Sequence, residues 1–213
     1  MSLPLLDAFV TGTDTGVGKT IVCARMAAEA RARGLVPGML KAVQTGADDD
    51  AMWVASRVPG TVATTIYRYE SELAPALAAR VDGEAPVEIA TIVEAVAELR
   101  LHCDGVIVEG SGGLLEPLVA RLTFADLARA LDLPVIIVCR PGPGTVNHTA
   151  MTIAAARQAG LAVAGLAICG ASSHPDLLER TNREELERFA TVLEIIRQDE
   201  APPPRSRNER SGS

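Results

Sequence analysis

The chain has 213 residues, a formal net charge of −7 and a hydrophobic fraction of 48 %. This length suits one domain, and the apolar content excludes a wholly disordered chain. The acidic balance argues against nonspecific nucleic-acid binding, so we expect no nucleic-acid partner, although backbone N–H groups can still hold a phosphate.

Short apolar runs alternate along the chain with longer segments of helical period. In chain order we predict a strand at 6–10, a helix at 19–33, a strand at 37–43, a short helix at 50–57, a β-rich segment at 61–69, a helix at 87–101, a strand at 105–108, a helix at 124–131, a strand at 134–138, a helix at 145–159, a strand at 163–169 and a helical segment at 175–196. This pattern is typical of a doubly wound α/β fold, in which helices cover both faces of a mostly parallel sheet.

The remaining features of the chain concern its ends and its cysteines. Residues 201–213 contain three prolines and no apolar anchor, so we expect a disordered tail after a single domain at 1–200. The first six residues lack the pattern of a secretory signal, and no apolar run approaches the ~20 residues of a membrane span. The four cysteines form no CxxC motif and are interpreted as buried free thiols. We expect a cytoplasmic protein without a membrane partner.

The segment GTDTGVGKT, at residues 12–20, joins the first predicted strand to the first predicted helix. This is the place of a P-loop, where backbone N–H groups and the helix dipole hold phosphate oxygens. Lys19 would reach the β- and γ-phosphates, and Thr20 would place its hydroxyl on Mg²⁺. The strict pattern has glycine where this chain has Thr13. The predicted nucleotide-binding residues are Thr13, Asp14, Thr15, Gly16, Val17, Gly18, Lys19, Thr20 and Glu109.

Two further strand ends carry groups that suit phosphoryl transfer. Glu109 follows a buried strand at the ligand-binding edge of the sheet, where it would either coordinate Mg²⁺ or cap the next turn. Lys41 and Thr45 end the second strand, and a second lysine there would neutralise charge on a transferring phosphoryl group. The acidic run at 48–50 either supplies a Mg²⁺ ligand or caps the helix that follows it.

With these motifs the chain resembles the dethiobiotin synthetase family. The similar stretches follow the family's order: VTGTDTGVGKT at 10–20, KAVQTG at 41–46, LAPALAA at 73–79, VEGSGGLL at 108–115 and GTVNHT at 144–149. The similarity covers residues 8 to about 190. The partitioning and septum-site ATPases of the wider P-loop class carry a signature lysine where this chain has Asp14.

The resemblance implies a ligase of biotin biosynthesis that uses 7,8-diaminopelargonate, CO₂ and ATP with Mg²⁺. In the family, one substrate amine captures CO₂ as a carbamate, whose oxygen attacks the γ-phosphate. The second amine then displaces phosphate from the carbamic–phosphoric anhydride and closes the cyclic urea of dethiobiotin. The resemblance also implies a homodimer, because the family's loop matching 144–147 reaches across the interface and binds the substrate's carboxylate.

The resemblance also distributes roles among the residues. It assigns catalysis to Lys41, Lys19 and Thr45, and the Mg²⁺ ligands to Thr20, Asp50 and Glu109. It assigns substrate binding to Thr15, Lys41, Thr45, Ser111, Gly112, Gly144, Thr145, Val146 and Asn147. Residues 74–76 would line the substrate's apolar chain, or would simply begin a helix with proline in its first turn.

Recognition of the nucleotide base is where the chain departs from the family. The family often reads adenine with an asparagine after the strand that ends here near Cys169, and this chain has Cys169 and Gly170 instead. The family's later Gly-Glu-Ile-Pro-type segment is missing. Nucleoside triphosphates other than ATP therefore remain alternative substrates. Asn182 lies in a segment that resembles the family and is either a functional residue, as that resemblance implies, or a simple polar residue on the surface of a helix.

Two other hypotheses keep the P-loop but change the function. One is a switch ATPase of the partitioning type that acts on a protein partner. Asp14 in place of the signature lysine and the KAVQTG motif oppose it. The other is a related P-loop protein whose substrate site has decayed.

Overall fold

A computed structural model describes residues 6–198, which contain seven helices and nine strands. In chain order these are β1 (Ala8–Gly12), α1 (Lys19–Ala32), β2 (Pro37–Thr45), α2 (Asp50–Arg57), β3 (Val62–Tyr69), α3 (Pro75–Asp82), α4 (Ile89–Arg100), β4 (Gly105–Gly113), β5 (Pro117–Val119), β6 (Leu122–Thr123), α5 (Phe124–Ala130), β7 (Val135–Cys139), α6 (Thr145–Gln158), β8 (Val163–Ala171), α7 (Leu177–Glu187) and β9 (Val192–Arg197). The predicted tail at 201–213 lies outside the described residues, and the prediction of one domain over 1–200 stays a prediction.

Seven strands form one parallel sheet in the order β3-β2-β4-β1-β7-β8-β9. The first strand lies in the middle, so the chain winds outward from it in both directions. In such sheets ligands bind at the carboxyl ends of the strands, where the winding direction changes. That point here is the end of β1, which leads into the GTDTGVGKT loop. The predicted doubly wound fold is confirmed.

The core has two layers because successive residues of a strand point to opposite faces of the sheet. Phe9 packs in one cluster with Phe124, and Val10 packs in the other with Met26. All four side chains are fully buried. Strands buried on both faces read as continuous apolar runs, which is why the central strands could be predicted. Within the part of the chain that the structure describes, no helix is long and apolar enough to span a membrane.

The predicted helical segment at 175–196 is wrong in its second half. The helix ends with Glu187, and Val192–Arg197 forms the edge strand β9, which pairs in parallel with β8. Leu193 and Ile196 bury their side chains in the core there. Burial against a neighbouring strand therefore decides the conformation of this segment. The β-rich segment at 61–69 is confirmed as a strand, α3 begins at the helix start given as one alternative for 74–76, and the β5–β6 ribbon was not predicted.

Candidate nucleotide and substrate site

The P-loop connects β1 to α1 and begins the site. Gly18 adopts a left-handed conformation, with φ of 100°. A Cβ on Gly18 would lie 2.4 Å from Cys169 Sγ, so both the backbone angle and the close approach require glycine. Thr13 donates its backbone N–H to Val138 O over 2.9 Å, which ties the loop to β7. The loop is thus held by the sheet below it.

Lys19 extends from the first turn of α1 across the mouth of the loop. Its Nζ donates to Gly112 O at 2.8 Å and to Asp14 O at 3.1 Å. Burial is the main cause that lowers the pKa of Lys19 to about 8, and the attraction of Glu109 opposes part of that effect. The ammonium group is therefore held at the place where the motif predicts the β- and γ-phosphates.

Lys41 is buried between two carboxylates. Its Nζ lies 2.6 Å from Glu109 Oε1 and 2.7 Å from Asp50 Oδ2, and it also donates to Gly110 O at 3.1 Å. Burial alone would lower the pKa of Lys41, but the two carboxylates outweigh burial and raise it. Burial raises the pKa of Glu109, and the attraction of Lys41 only partly offsets that rise. The three side chains form one charge cluster, with a positive centre.

The two carboxylate oxygens of Glu109 have different surroundings. Thr20 Oγ1 donates to Oε1 at 3.0 Å, whereas Oε2 is buried without a hydrogen-bond partner among the described residues. A buried oxygen of this kind fits a hard divalent cation. Residues 6–198 contain no group of three His, Cys, Asp or Glu side chains that could hold a metal ion. Two carboxylates and the Thr20 hydroxyl would therefore need phosphate or water oxygens to complete the coordination.

A cavity of about 710 Å³ opens at the carboxyl ends of β1, β2 and β4. It brings together most of the predicted site residues. These are Thr15, Gly16, Gly18, Lys19, Thr20, Lys41, Thr45, Asp50, Glu109, Ser111 and Gly112. Ala74 and Pro75 form an apolar part of the wall, and Pro75 begins α3, so the helix start is confirmed and the contact with the substrate's apolar chain stays a prediction.

The other predicted residues lie away from the cavity lining. Thr13, Asp14 and Val17 belong to the same loop, and Val17 packs into the core. Residues 144–147 begin α6, outside this cavity of the single chain. Thr145 is buried, and its Oγ1 has no hydrogen-bond partner among the described residues. The predicted role of this loop at a partner's site stays a prediction.

Four polar or aromatic side chains line the cavity without having been predicted, beside the aliphatic Ile21 and Leu73. Gln44 accepts from the Asp50 backbone N–H at 3.1 Å and donates to Thr45 O at 3.2 Å, so it fixes the start of α2 beside Lys41. The other three are Trp53, Glu72 and Glu116. Gln44 is part of the KAVQTG motif, and the two glutamates directly adjoin the LAPALAA and VEGSGGLL motifs. That adjacency is the signal that could have found them.

A second cavity of about 330 Å³ lies near the carboxyl ends of β8 and β9. Arg25, Ser172, Glu194 and Arg197 contribute to its wall. Asn182 also lines it, and its amide donates to Pro141 O at 3.0 Å and to Gly142 O at 3.2 Å. Asn182 is therefore a bonded residue between α7 and the loop after β7, not a solvated surface position.

Comparison with known proteins places this geometry in a family. The family described as an AAA domain matches residues 7–197. A protein of Anaeromyxobacter dehalogenans named ATP-dependent dethiobiotin synthetase is 46 % identical over 188 residues, which cover 85 % of this chain and 84 % of the relative. A protein of Rhodococcus jostii with the same name is 44 % identical over 182 residues, 83 % of this chain and 79 % of the relative. This chain belongs to the dethiobiotin synthetase family.

The structural neighbours show a fold that the dethiobiotin synthetase family shares with other P-loop proteins. A ParA family ATPase from Chlorobium tepidum aligns with a TM-score of 0.56 at 13 % identity, over 91 % of this chain and 85 % of that one. The cell division ATPase MinD of Pyrococcus furiosus aligns with a TM-score of 0.53 at 14 % identity, over 91 % and 84 %. At these identities the likeness concerns the fold alone.

Proposed function

We propose that this chain is an ATP-dependent dethiobiotin synthetase, a ligase that carboxylates 7,8-diaminopelargonate with CO₂ and closes the cyclic urea in biotin biosynthesis. Membership of the family supports the reaction. The observation that carries the assignment to this site is the cavity in which the P-loop, Lys19 and the Lys41–Glu109 pair come together. Phosphoryl transfer needs positive charge where the transferring group becomes more negative, and this cavity supplies it.

The roles of the residues follow from their positions. The P-loop N–H groups and Lys19 hold the nucleotide phosphates. Lys41 lies on β2, which β4 separates from β1, and it faces the same space and stabilises the charge of the carbamate and of the γ-phosphate. Thr45 and Ser111 offer hydroxyl groups at the ends of β2 and β4, and Ser111 Oγ is itself oriented by a hydrogen bond to Val43 O.

The cation expected with the nucleotide is Mg²⁺, held by Thr20, Asp50 and Glu109. The orphaned Oε2 of Glu109 and the all-oxygen donor set support this choice. Bound there, Mg²⁺ would neutralise phosphate charge. Lys41 keeps both carboxylates in place without it, since its ammonium group lies within 2.7 Å of each.

The hydrocarbon chain and the carboxylate of the diamine need different surroundings. Ala74 and Pro75 provide an apolar wall for its hydrocarbon chain. Its carboxylate is taken by the N–H groups at the start of α6, residues 144–147, of a second copy of this chain. A helix start favours an anion, and the loop's distance from the single-chain cavity is the reason for a homodimer with shared sites. We place the enzyme in the cytoplasm, where its small-molecule substrates are made.

The second cavity is the site we propose for the nucleotide base. It adjoins the end of β8, where the family's asparagine is replaced, and it contains arginine, serine and glutamate side chains. These groups offer both donors and acceptors to a base. ATP is the expected substrate, and other nucleoside triphosphates belong in the same assay.

The decisive experiment measures phosphate release from ATP with Mg²⁺ and bicarbonate, with and without 7,8-diaminopelargonate. Release that requires the diamine, together with a product of dethiobiotin mass, supports the proposal. Release that ignores the diamine would favour a switch ATPase. No release with any nucleoside triphosphate would indicate a decayed site.

A further inference from the structure

Arg140 contacts the P-loop from outside the cavity. It directly follows β7, which lies beside β1 in the sheet, so the register brings it next to the loop. Its Nη2 donates to Thr15 O at 2.7 Å. A Cβ on Gly16 would lie 3.5 Å from the same Nη2, so the guanidinium covers the outer face of the loop at that residue. The arginine belongs to none of the motifs that mark the site.

The contact with Thr15 O fixes the direction of one N–H group. The described backbone has no cis peptide bonds, so Thr15 C=O and Gly16 N–H point in opposite directions within one rigid peptide plane. Arg140 holds the carbonyl on the outside of the loop. The Gly16 N–H is thereby directed to the inside, where the cavity lies. The Thr15 N–H is unavailable for the same purpose, because it donates to Asp14 Oδ1 at 2.7 Å.

Arg140 also offsets a charge that opposes anion binding. Asp14 places a carboxylate on the phosphate loop, and Arg140 Nη1 lies 4.0 Å from its Oδ2. Both side chains are more than half exposed, and exposed pairs of this kind contribute little. The charged hydrogen bond to Thr15 O is therefore the larger of the two effects.

We propose that Arg140 is a positioning residue for nucleotide binding, which orients the Thr15–Gly16 peptide so that its N–H faces the phosphates. The proposal deepens the nucleotide site of the proposed function and rests on it. Because it concerns binding alone, it is tested without the diamine. A failure of the binding proposal can therefore be distinguished from a failure of the protein to make dethiobiotin.

The test is the dissociation constant of Mg²⁺–ADP for the full chain, measured by calorimetry. Arg140→Ala should weaken binding by about tenfold, since it removes the charged hydrogen bond that holds Thr15 O on the outside of the loop. Arg140→Lys should recover only part of the affinity, because an ammonium group lacks the fixed planar donors of guanidinium. Low millimolar guanidinium chloride should restore binding to Arg140→Ala, which a merely structural role would not allow.

Arg188→Ala is the matched control, because Arg188 is an exposed arginine paired with Glu185 on α7. Its affinity for ADP should equal that of the unaltered chain. In an Asp14→Asn background, Arg140→Ala should still weaken ADP binding by about tenfold, because the exposed pair with Asp14 contributes little. Unchanged ADP affinity in Arg140→Ala, with an unchanged circular dichroism spectrum, would overturn the proposal. If that variant does not fold, unchanged affinity in Arg140→Gln would overturn it equally.

Discussion

Lys41 connects the chemistry of the site to its stability, since its ammonium group is the positive centre between Glu109 and Asp50. Removing it has two consequences of different kinds. In the proposed role, the transition state loses a cation beside the phosphoryl group, and the folded protein keeps the buried Glu109 and the partly buried Asp50 without that ammonium group. The first consequence appears in turnover and the second in the free energy of unfolding.

We expect Lys41→Ala to reduce dethiobiotin formation by about 10²–10³-fold, with nucleotide affinity nearly intact. Its free energy of unfolding should fall by about 3–5 kcal/mol, because breaking a buried ion pair leaves charges uncompensated. Initial rates at saturating ATP and urea unfolding measure the two effects. Arg100→Ala, which removes a half-exposed arginine paired with Asp7, serves as the control for loss of a cation. Full activity in Lys41→Ala would end its proposed role.

Alanine substitutions at Gly18 and Gly34 separate the free-energy cost of a contact with Cys169 from the cost of backbone strain. Both have positive φ, but a Cβ on Gly18 would meet Cys169 Sγ, whereas one on Gly34 would meet nothing within 4 Å. Gly34→Ala should cost about 1–2 kcal/mol, the strain of a left-handed alanine. Gly18→Ala should cost more, and Cys169→Gly should recover part of the difference. Equal losses in urea unfolding would show that Cys169 moves aside freely.

At the scale of the elements, α5 depends on the hydrogen bonds at its first turn. Thr123 and Asp126 form a capping box, in which the Asp126 carboxylate accepts from the Thr123 backbone N–H at 2.8 Å. That backbone hydrogen bond, helped by the Thr123 hydroxyl and Arg129, lowers the pKa of Asp126. The cap therefore stabilises the ionised form of the folded protein.

The lowered pKa of Asp126 predicts a pH dependence. Its contribution to stability is complete above the unfolded pKa of about 4 and disappears as pH falls through the lower pKa of the folded state. Asp126→Asn should cost about 1 kcal/mol at neutral pH, as loss of a cap does. The gap between the two unfolding free energies should narrow as the pH falls below about 4. A gap that is constant with pH would contradict this account.

The elements also show which parts of the fold can be predicted from the sequence. The central strands could be predicted, because burial on both faces leaves continuous apolar runs such as that of β7. The strand β9 could not, because VLEIIR after a helical segment suits either a helix face or a strand. Its conformation depends on pairing with β8, which is a contact between separate elements.

The candidate site likewise contains residues that could be predicted from the sequence and residues that could not. Lys19, Lys41 and Glu109 could be predicted, because a local motif or the end of an apolar strand marks each of them in the sequence. Arg140 could not be assigned to the site, because only the packing of β7 beside β1 brings it against the P-loop. Motifs predict the chemical groups, whereas the surroundings that orient those groups depend on tertiary contacts.

For the whole molecule, the shared-site homodimer predicts that two inactive variants restore each other. Lys41→Ala disables a site through one protomer, and Asn147→Asp disables the carboxylate-binding loop supplied by the other. Asp is isosteric with Asn and favourable in the first turn of a helix, so folding should not suffer. Random re-association makes about half of the dimers mixed, each with one intact site, so about a quarter of the activity should return.

Analytical ultracentrifugation of the same mixtures establishes whether dimers form and exchange. A mixture of Asn147→Asp with Thr45→Val is a second pair of the same design. Exchanging dimers without recovered activity would show that residues 144–147 act within their own chain. A monomer at assay concentration would remove the shared site altogether.

The pairing of Lys41 with Glu109 also bears on how the sheet assembles. Their Cα atoms are direct partners in the register of β2 and β4, whose paired segments, 37–41 and 105–109, are otherwise apolar, so a shifted register would change hydrophobic burial little. A shift by two residues would keep every side chain on its own face but would separate the ammonium from the carboxylate. Buried charges parted in this way cost ~3–5 kcal/mol, against a net stability of ~5–15 kcal/mol. The pair to which we assign a catalytic role thus also penalises misaligned strands during folding.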